Sequence, residues 1–99
     1  MNKTLAQYFA QQGIEKIKQN NLHDALKDFN QAIAIKPDFV EAYESRGLAN
    51  LGLGNTEGAL KDINQGLKLN PHRAESYKNR AIILFSIFHW KLSTNNRRL

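Results

Sequence analysis

The residues of this chain that are able to do chemistry are few, and their spacing does not assemble them. The run Gly52-Leu-Gly-Asn-Thr-Glu-Gly58 has the glycine density of a loop that wraps backbone N–H groups around a phosphate. The dinucleotide pattern needs glycine at position 57, where Glu57 stands, and no Lys-Ser/Thr pair follows as a P-loop requires. No strand pattern precedes it, so the run reads as a turn between two helices. His23, His72 and His89 lie far apart, and none belongs to a metal-ligand spacing such as HExxH. Cysteine is absent, which removes thiolate zinc sites and disulfides. The carboxylates are dispersed, and neither a Ser-His-Asp arrangement nor a glycine-flanked nucleophile can be justified from spacing. The expectation is a protein that is not an enzyme, with no metal and no cofactor.

One charged pattern does stand out. Asp28 and Asp62 are 34 residues apart, as are Arg46 and Arg80. An arginine can reach an aspartate across packed helices, either within one unit (Arg46–Asp62) or between neighbours (Asp28–Arg46, Asp62–Arg80). Such a ladder is read as structural, ion-pair networks being the commoner cause of this pattern.

The elements that carry these residues repeat at the same interval. Asn21, Ala25, Leu26, Lys27, Asp28, Asn30, Gln31 and Pro37 recur as Asn55, Ala59, Leu60, Lys61, Asp62, Asn64, Gln65 and Pro71, and Gly13 recurs as Gly47. Thr4 and Gln7 form a capping-box pattern that starts a helix running to about Lys18. Tyr8 or Phe9, Gly13 and Ile17 lie on one side of it. Asn21 is an N-cap candidate for a second helix, with Ala25, Phe29, Ala32, Ile33 and Ile35 buried and Pro37 as the stop. Asp38 with Glu41 repeats the capping box before a third helix containing Tyr43, Gly47, Leu48 and Leu51. A fourth carries Ala59, Leu60, Ile63, Leu67 and Leu69 and ends at Pro71. A fifth, from Ala74, repeats the third. Small residues mark the close helix contacts: Gly13, Gly47 and Ala81 on the first helix of each unit, Ala25 and Ala59 on the second. A fixed period of this length is the signature of a stacked helical array.

With Phe9, Gly13, Ala25, Phe29, Ala32 and Pro37 followed by Tyr43, Gly47, Ala59, Ile63, Gly66 and Pro71, the chain closely resembles the tetratricopeptide repeat. The resemblance divides it into a lead-in (1–5), repeat one (6–39), repeat two (40–73), the first helix of an incomplete third repeat (74–90) and a polar, basic tail (91–99). It implies an all-α, right-handed solenoid of antiparallel helix pairs. It also implies a concave face, lined by the first helix of each repeat, that holds a peptide or helix of a partner protein. Carried onto this chain, that face comprises Ile14 and Ile17, then Glu41, Glu44, Leu48 and Leu51, then Glu75, Lys78, Asn79, Ile82 and Phe85. Its apolar pairs either grip a partner or brace adjacent helices. With Glu41, Glu44 and Glu75 at its edge, the expected partner has apolar anchors and some basic residues.

One branch of the family grips the C-terminal carboxylate of chaperones with lysine, asparagine and arginine. The corresponding residues here are Ala10, Ile14, Ser45, Glu75 and Asn79, so the expectation is that the partner is not an acidic chaperone C-terminus.

Charge bears on partners too. The 99 residues carry a net charge of +5. Residues 1–73 hold nine basic and eight acidic side chains, residues 74–99 five and one. The basicity therefore belongs to the C-terminal segment and reads as a solvated tail. The paired repeats show no basic stripe, and nucleic acid is not the expected partner. The N-terminus has no apolar core, so no secretory signal is read there, and the apolar run Ala81 to Trp90 is too short to span a bilayer. The expected location is the cytoplasm, without a membrane role.

The pattern breaks after Ser86. Ile82, Ile83, Leu84, Phe85, Ile87, Phe88 and Trp90 crowd a helix that packing can hide on one side only, whereas solenoid ends are usually polar. This end self-associates through Phe85, Phe88 and Trp90 as a homodimer, folds its tail back with Trp90 as anchor, or is the remnant of a longer array.

Overall fold

The computed structural model describes residues 4–97, so parts of the lead-in (1–3) and of the tail (98–99) lie outside the described residues. Five helices follow in order: α1 (Leu5–Lys18), α2 (Leu22–Ile35), α3 (Val40–Gly52), α4 (Thr56–Leu69) and α5 (Ala74–Arg97). Among the described residues there is no strand. Consecutive helices pack as pairs. α1 and α3 also touch, as do α3 and α5, so α1, α3 and α5 form one layer and α2 and α4 the other.

Local chemistry explains most boundaries. Thr4 Oγ1 accepts from Gln7 N at 3.1 Å, and Gln7 Oε1 accepts from Thr4 N at 2.9 Å, a complete capping box. α1 and α3 end on left-handed residues 34 positions apart, Asn20 (φ 60°) and Gly54 (φ 84°). In each turn the next amide reaches back to the helix, Asn21 N to Lys16 O at 2.7 Å and Asn55 N to Asn50 O at 2.8 Å, which satisfies carbonyls otherwise orphaned at a helix end. Asn55 caps α4 by accepting from Gly58 N at 2.9 Å. Asn21 makes no such bond, and α3 starts at the N-cap Phe39 without a side-chain cap, so the capping box expected of Asp38 and Glu41 does not form.

Three apolar clusters hold the layers together. Ala10, Ala32 and Ala42 pack with Phe9; Ala25, Phe29 and Ala49 with Ile14 and Ile17; Ala59, Ile63 and Ile83 with Leu51. Phe29 is fully buried, and its truncation would cost about 3–5 kcal/mol. The pairs approach closely where small residues sit. A Cβ on Gly13 would lie 2.7 Å from the Phe29 ring, and one on Gly47 would lie 3.2 Å from Ala59 O. Ile35, expected on a buried face, is instead exposed at the end of α2, as is Leu69 at the end of α4. The largest departure is α5. The basic segment expected to trail off after Trp90 remains helical to Arg97.

Candidate functional site

The inner layer presents a face built from α1, α3 and α5. Its apolar strip changes character along the array. Ile14 and Ile17 are half-buried against Ala25, Phe29 and Ala49, and Leu51 packs against Ala59, Ile63 and Ile83. Leu48 is half-buried. On α5 the equivalent positions open out, with Ile82 44% and Phe85 69% exposed. Phe85 stacks on His89 with ring centroids 6.1 Å apart. Glu41, Glu75 and Lys78 are exposed around this strip, while Asn79 is buried.

Glu44 is not on that surface. Its Oε2 accepts from Arg73 Nε at 2.8 Å and from the Ser76 hydroxyl, tying α3 to the start of α5 inside the array. Burying a carboxylate demands such partners. The hydrogen bond to Glu44 holds the Arg73 guanidinium above its ordinary pKa, against the opposing effect of burial. Arg73 also approaches Glu41, with Nη1 4.0 Å from its Oε2. The edge predicted as three glutamates is thus two, one of them beside a cation. Sequence reasoning missed Arg73 because nothing in its spacing marks it as the partner of a glutamate 29 residues earlier.

A second charged site lies between the layers. Arg46 donates from Nε and Nη2 to Asp62 at 3.0 and 2.7 Å, and from Nη1 to Asn30 Oδ1 at 2.9 Å. Asn50 Nδ2 adds a bond to Asp62 at 3.1 Å. Of the ladder options, the within-repeat pair forms. Asp28 is taken by Lys16 at 2.7 Å, a partner not anticipated from sequence. Tyr43 OH donates to Pro37 O at 3.0 Å and Tyr77 OH to Pro71 O at 2.7 Å, locking each inter-repeat turn in the same way.

The apolar residues singled out at the C-terminal end do not share one face. Phe85 (69%), Phe88 (61%) and Trp90 (64%) are all exposed, and Trp90 stands beside the first turns of α4. Trp90 joins Leu51, Thr56, Leu60, Ile87 and Lys91 around an open cleft of about 700 Å³. Among the described residues no group of His, Cys, Asp or Glu could hold a metal. Among them, too, no helix is long and apolar enough to cross a membrane.

Two layers of antiparallel helix pairs on a 34-residue period define a helical-repeat interaction protein. The family models agree: one described as a TPR repeat matches residues 13–54, and one described as a tetratricopeptide repeat matches residues 40–73. The chain belongs to the tetratricopeptide repeat family. No curated protein sequence matches it.

Solved structures are similar along most of its length. The first TPR domain of human RPAP3 superposes with a TM-score of 0.82 at 24% identity, over 90% of this chain and 70% of that one. The second TPR domain of human RPAP3, in complex with the HSP70 peptide SGPTIEEVD, gives 0.76 at 27% identity, over 79% of this chain and 65% of that one. The second TPR of Spaghetti (RPAP3), bound to the HSP90 peptide SRMEEVD, gives 0.80 at 17% identity, over 96% and 88%.

These complexes correct one expectation. Similar domains hold acidic chaperone tails, so the exclusion of such a tail as partner does not stand. The exclusion rested on the clamp positions Ala10, Ile14, Ser45, Glu75 and Asn79, which bear on one way of holding a carboxylate and not on every way.

Proposed function

We propose that this chain is a non-enzymatic interaction module whose concave face, formed by α1, α3 and α5, takes a peptide or helix from a partner protein. The observation that carries the reading is the exposed pair Ile82 and Phe85 on an inner helix, in repeat register with Leu48 and Leu51. Aromatic and aliphatic side chains left exposed beside half-buried neighbours are the usual anchors of an interface. Acidic chaperone tails belong in the ligand class, since a domain 27% identical holds one. Lys78, exposed on α5, is placed to meet a carboxylate of such a ligand.

The test is a calorimetric titration of the whole chain with SGPTIEEVD, with SRMEEVD and with a panel of apolar-anchored peptides. We expect saturable binding by at least one of them, weakened about tenfold or more by Leu48→Glu or Phe85→Glu, the effect of losing one interface anchor. Binding indifferent to both substitutions would remove the concave face from the proposal. Self-association through α5 is the competing reading, and it predicts a dimer dispersed by Phe88→Glu in sedimentation.

A further inference from the structure

We infer that the outer face of α5, built from Tyr77, Arg80, Ala81, Leu84 and Phe88, is a docking site for an amphipathic helix of another polypeptide. That helix carries alanine, an aspartate three residues on, and a bulky apolar residue next to the aspartate.

The two complete repeats show what such a face receives. On α1, Gly13 lies against Phe29 of α2; on α3, Gly47 lies against Ala59 and Asp62 of α4. Ala25 and Ala59, at the crossing points of these second helices, are fully buried. Ala81 occupies the same place on α5, 34 residues after Gly47, and it is exposed. Tyr77, Leu84 and Phe88 are exposed with it. Their spacing of four, three and four residues makes one continuous stripe along the helix. The stripe is distinct from the concave pair Ile82 and Phe85.

The charge pattern specifies the occupant further. Each second helix brings an aspartate at one repeat position to a cation on its first helix, Asp28 to Lys16 and Asp62 to Arg46. While gripping Asp62, the Arg46 guanidinium lies over the Tyr43 ring, 5.5 Å from its centroid. Arg80 takes the same posture over Tyr77, at 5.3 Å. Among the described residues, no carboxylate lies within ion-pair distance of Arg80. The nearest repeat candidate, Asp62, is already held by Arg46 on one side and Asn50 on the other. The guanidinium is therefore pre-set for a carboxylate, and the motif that satisfies it appears twice in this chain: Ala25-x-x-Asp28-Phe29 and Ala59-x-x-Asp62-Ile63.

A second copy is a poorer occupant. Pairing two α5 helices would bring together two segments of like charge, because the segment from residue 74 onward holds five basic side chains and one acidic. Like charges across an interface are penalised, whereas a helix bearing aspartate is attracted.

The probe is a capped peptide of residues 55–71 of this chain, added to the full chain and followed by backbone NMR and Trp90 fluorescence. We expect saturable binding with shifts centred on Tyr77, Ala81, Leu84 and Phe88. Arg80→Asp should weaken it by about tenfold, the scale of a coupled interfacial charge pair. A peptide with Asp62→Arg should regain affinity for that variant. Phe88→Glu should abolish binding, while Phe85→Glu, which tests the concave face, should leave it intact. No saturable binding, shifts confined to Ile82 and Phe85, or equal affinity for wild type and Arg80→Asp would each overturn the proposal. So would a dimer dispersed by Phe88→Glu, since the occupant would then be a second copy. Melting curves of each variant confirm that the fold tested is the same.

Discussion

Arg46 and Asp62 form a two-pronged ion pair, Nε and Nη2 on the two carboxylate oxygens at 3.0 and 2.7 Å. The pair clamps α3 to α4 beside the close contact at Gly47. Asp62 is buried and the arginine side chain only 24% exposed. Removing Arg46 leaves a buried carboxylate supported by Asn50 alone. Arg46→Ala is expected to destabilise the fold by about 2–4 kcal/mol, somewhat below the full cost of breaking a buried pair because Arg46 is not fully buried. Arg46→Lys should recover only part of this, since an ammonium cannot reproduce the planar fork. Urea unfolding measures both. A variant that loses partner affinity with its melting temperature intact would move Arg46 from structure to recognition.

Glu44 belongs to the same category one layer along. With Arg73 and Ser76 as its partners, Glu44→Ala should lower stability by about 1–3 kcal/mol, chiefly the cost of leaving the buried Ser76 hydroxyl unpaired, since Arg73 keeps solvent and Glu41. Amide exchange should quicken in the first turns of α5, which Glu44 ties to α3. Unchanged stability with lost peptide binding would return Glu44 to the groove.

Two glycines are predicted to fail for different reasons. At Gly13 the obstacle is space, as a Cβ would sit 2.7 Å from the ring of fully buried Phe29. The overpacking outweighs the gain in helix propensity, and Gly13→Ala should cost about 1–2 kcal/mol. At Gly54 nothing lies within 4 Å of an added Cβ, and the obstacle is φ +84°. Gly54→Ala should cost about 1–2 kcal/mol, while Gly54→Asn should be close to neutral, because Asn20 holds the same conformation in repeat one. Thermal melts of the three variants separate the two causes.

Lys16 gives a pH signature. Its hydrogen bond to Asp28 raises its pKa above the ordinary lysine value of 10.5, against a smaller opposing effect of desolvation. A raised pKa means that the ion pair's contribution is fully present below the unfolded-state value and is lost as pH climbs through the folded one. As pH rises above the ordinary lysine value of 10.5, wild-type stability should therefore fall more steeply than that of Lys16→Met. Parallel curves for the two proteins, measured by denaturant titration across that range, would show that the pair carries no linkage.

How far the site was legible can be judged residue by residue. The 34-residue register aligns Ile82 and Phe85 with Leu48 and Leu51, and their exposure on α5 is what the fold adds. Glu44 was assigned to that face by the same rule, and it is buried instead, held by Arg73 at the end of its own repeat and by Ser76 of the next helix. Asn79 and the isoleucines of α1 differ likewise from their expected exposure through contacts with neighbouring helices. The acidic edge lost Glu44 for that reason, whereas the exclusion of acidic ligands fell to the similar domains that hold such tails.

Periodicity, small residues at fixed offsets and proline stops determined the five helices, their pairing and the family. All of these act within one 34-residue unit, through helix geometry and nearest-neighbour packing. Tertiary structure decided which charges meet. Arg46 had two aspartates within plausible reach, Asp28 had two cations, and Glu44 found its own 29 residues on, at Arg73. Long flexible side chains choose among such options by desolvation and by hydrogen bonds from other helices. Neither is encoded in spacing. The same holds at the C-terminal end, where sequence marked α5 as too apolar to stand alone, and only the packing showed that Ser76, Asn79 and Ile83 are buried while Tyr77, Ile82, Leu84, Phe85 and Phe88 are exposed.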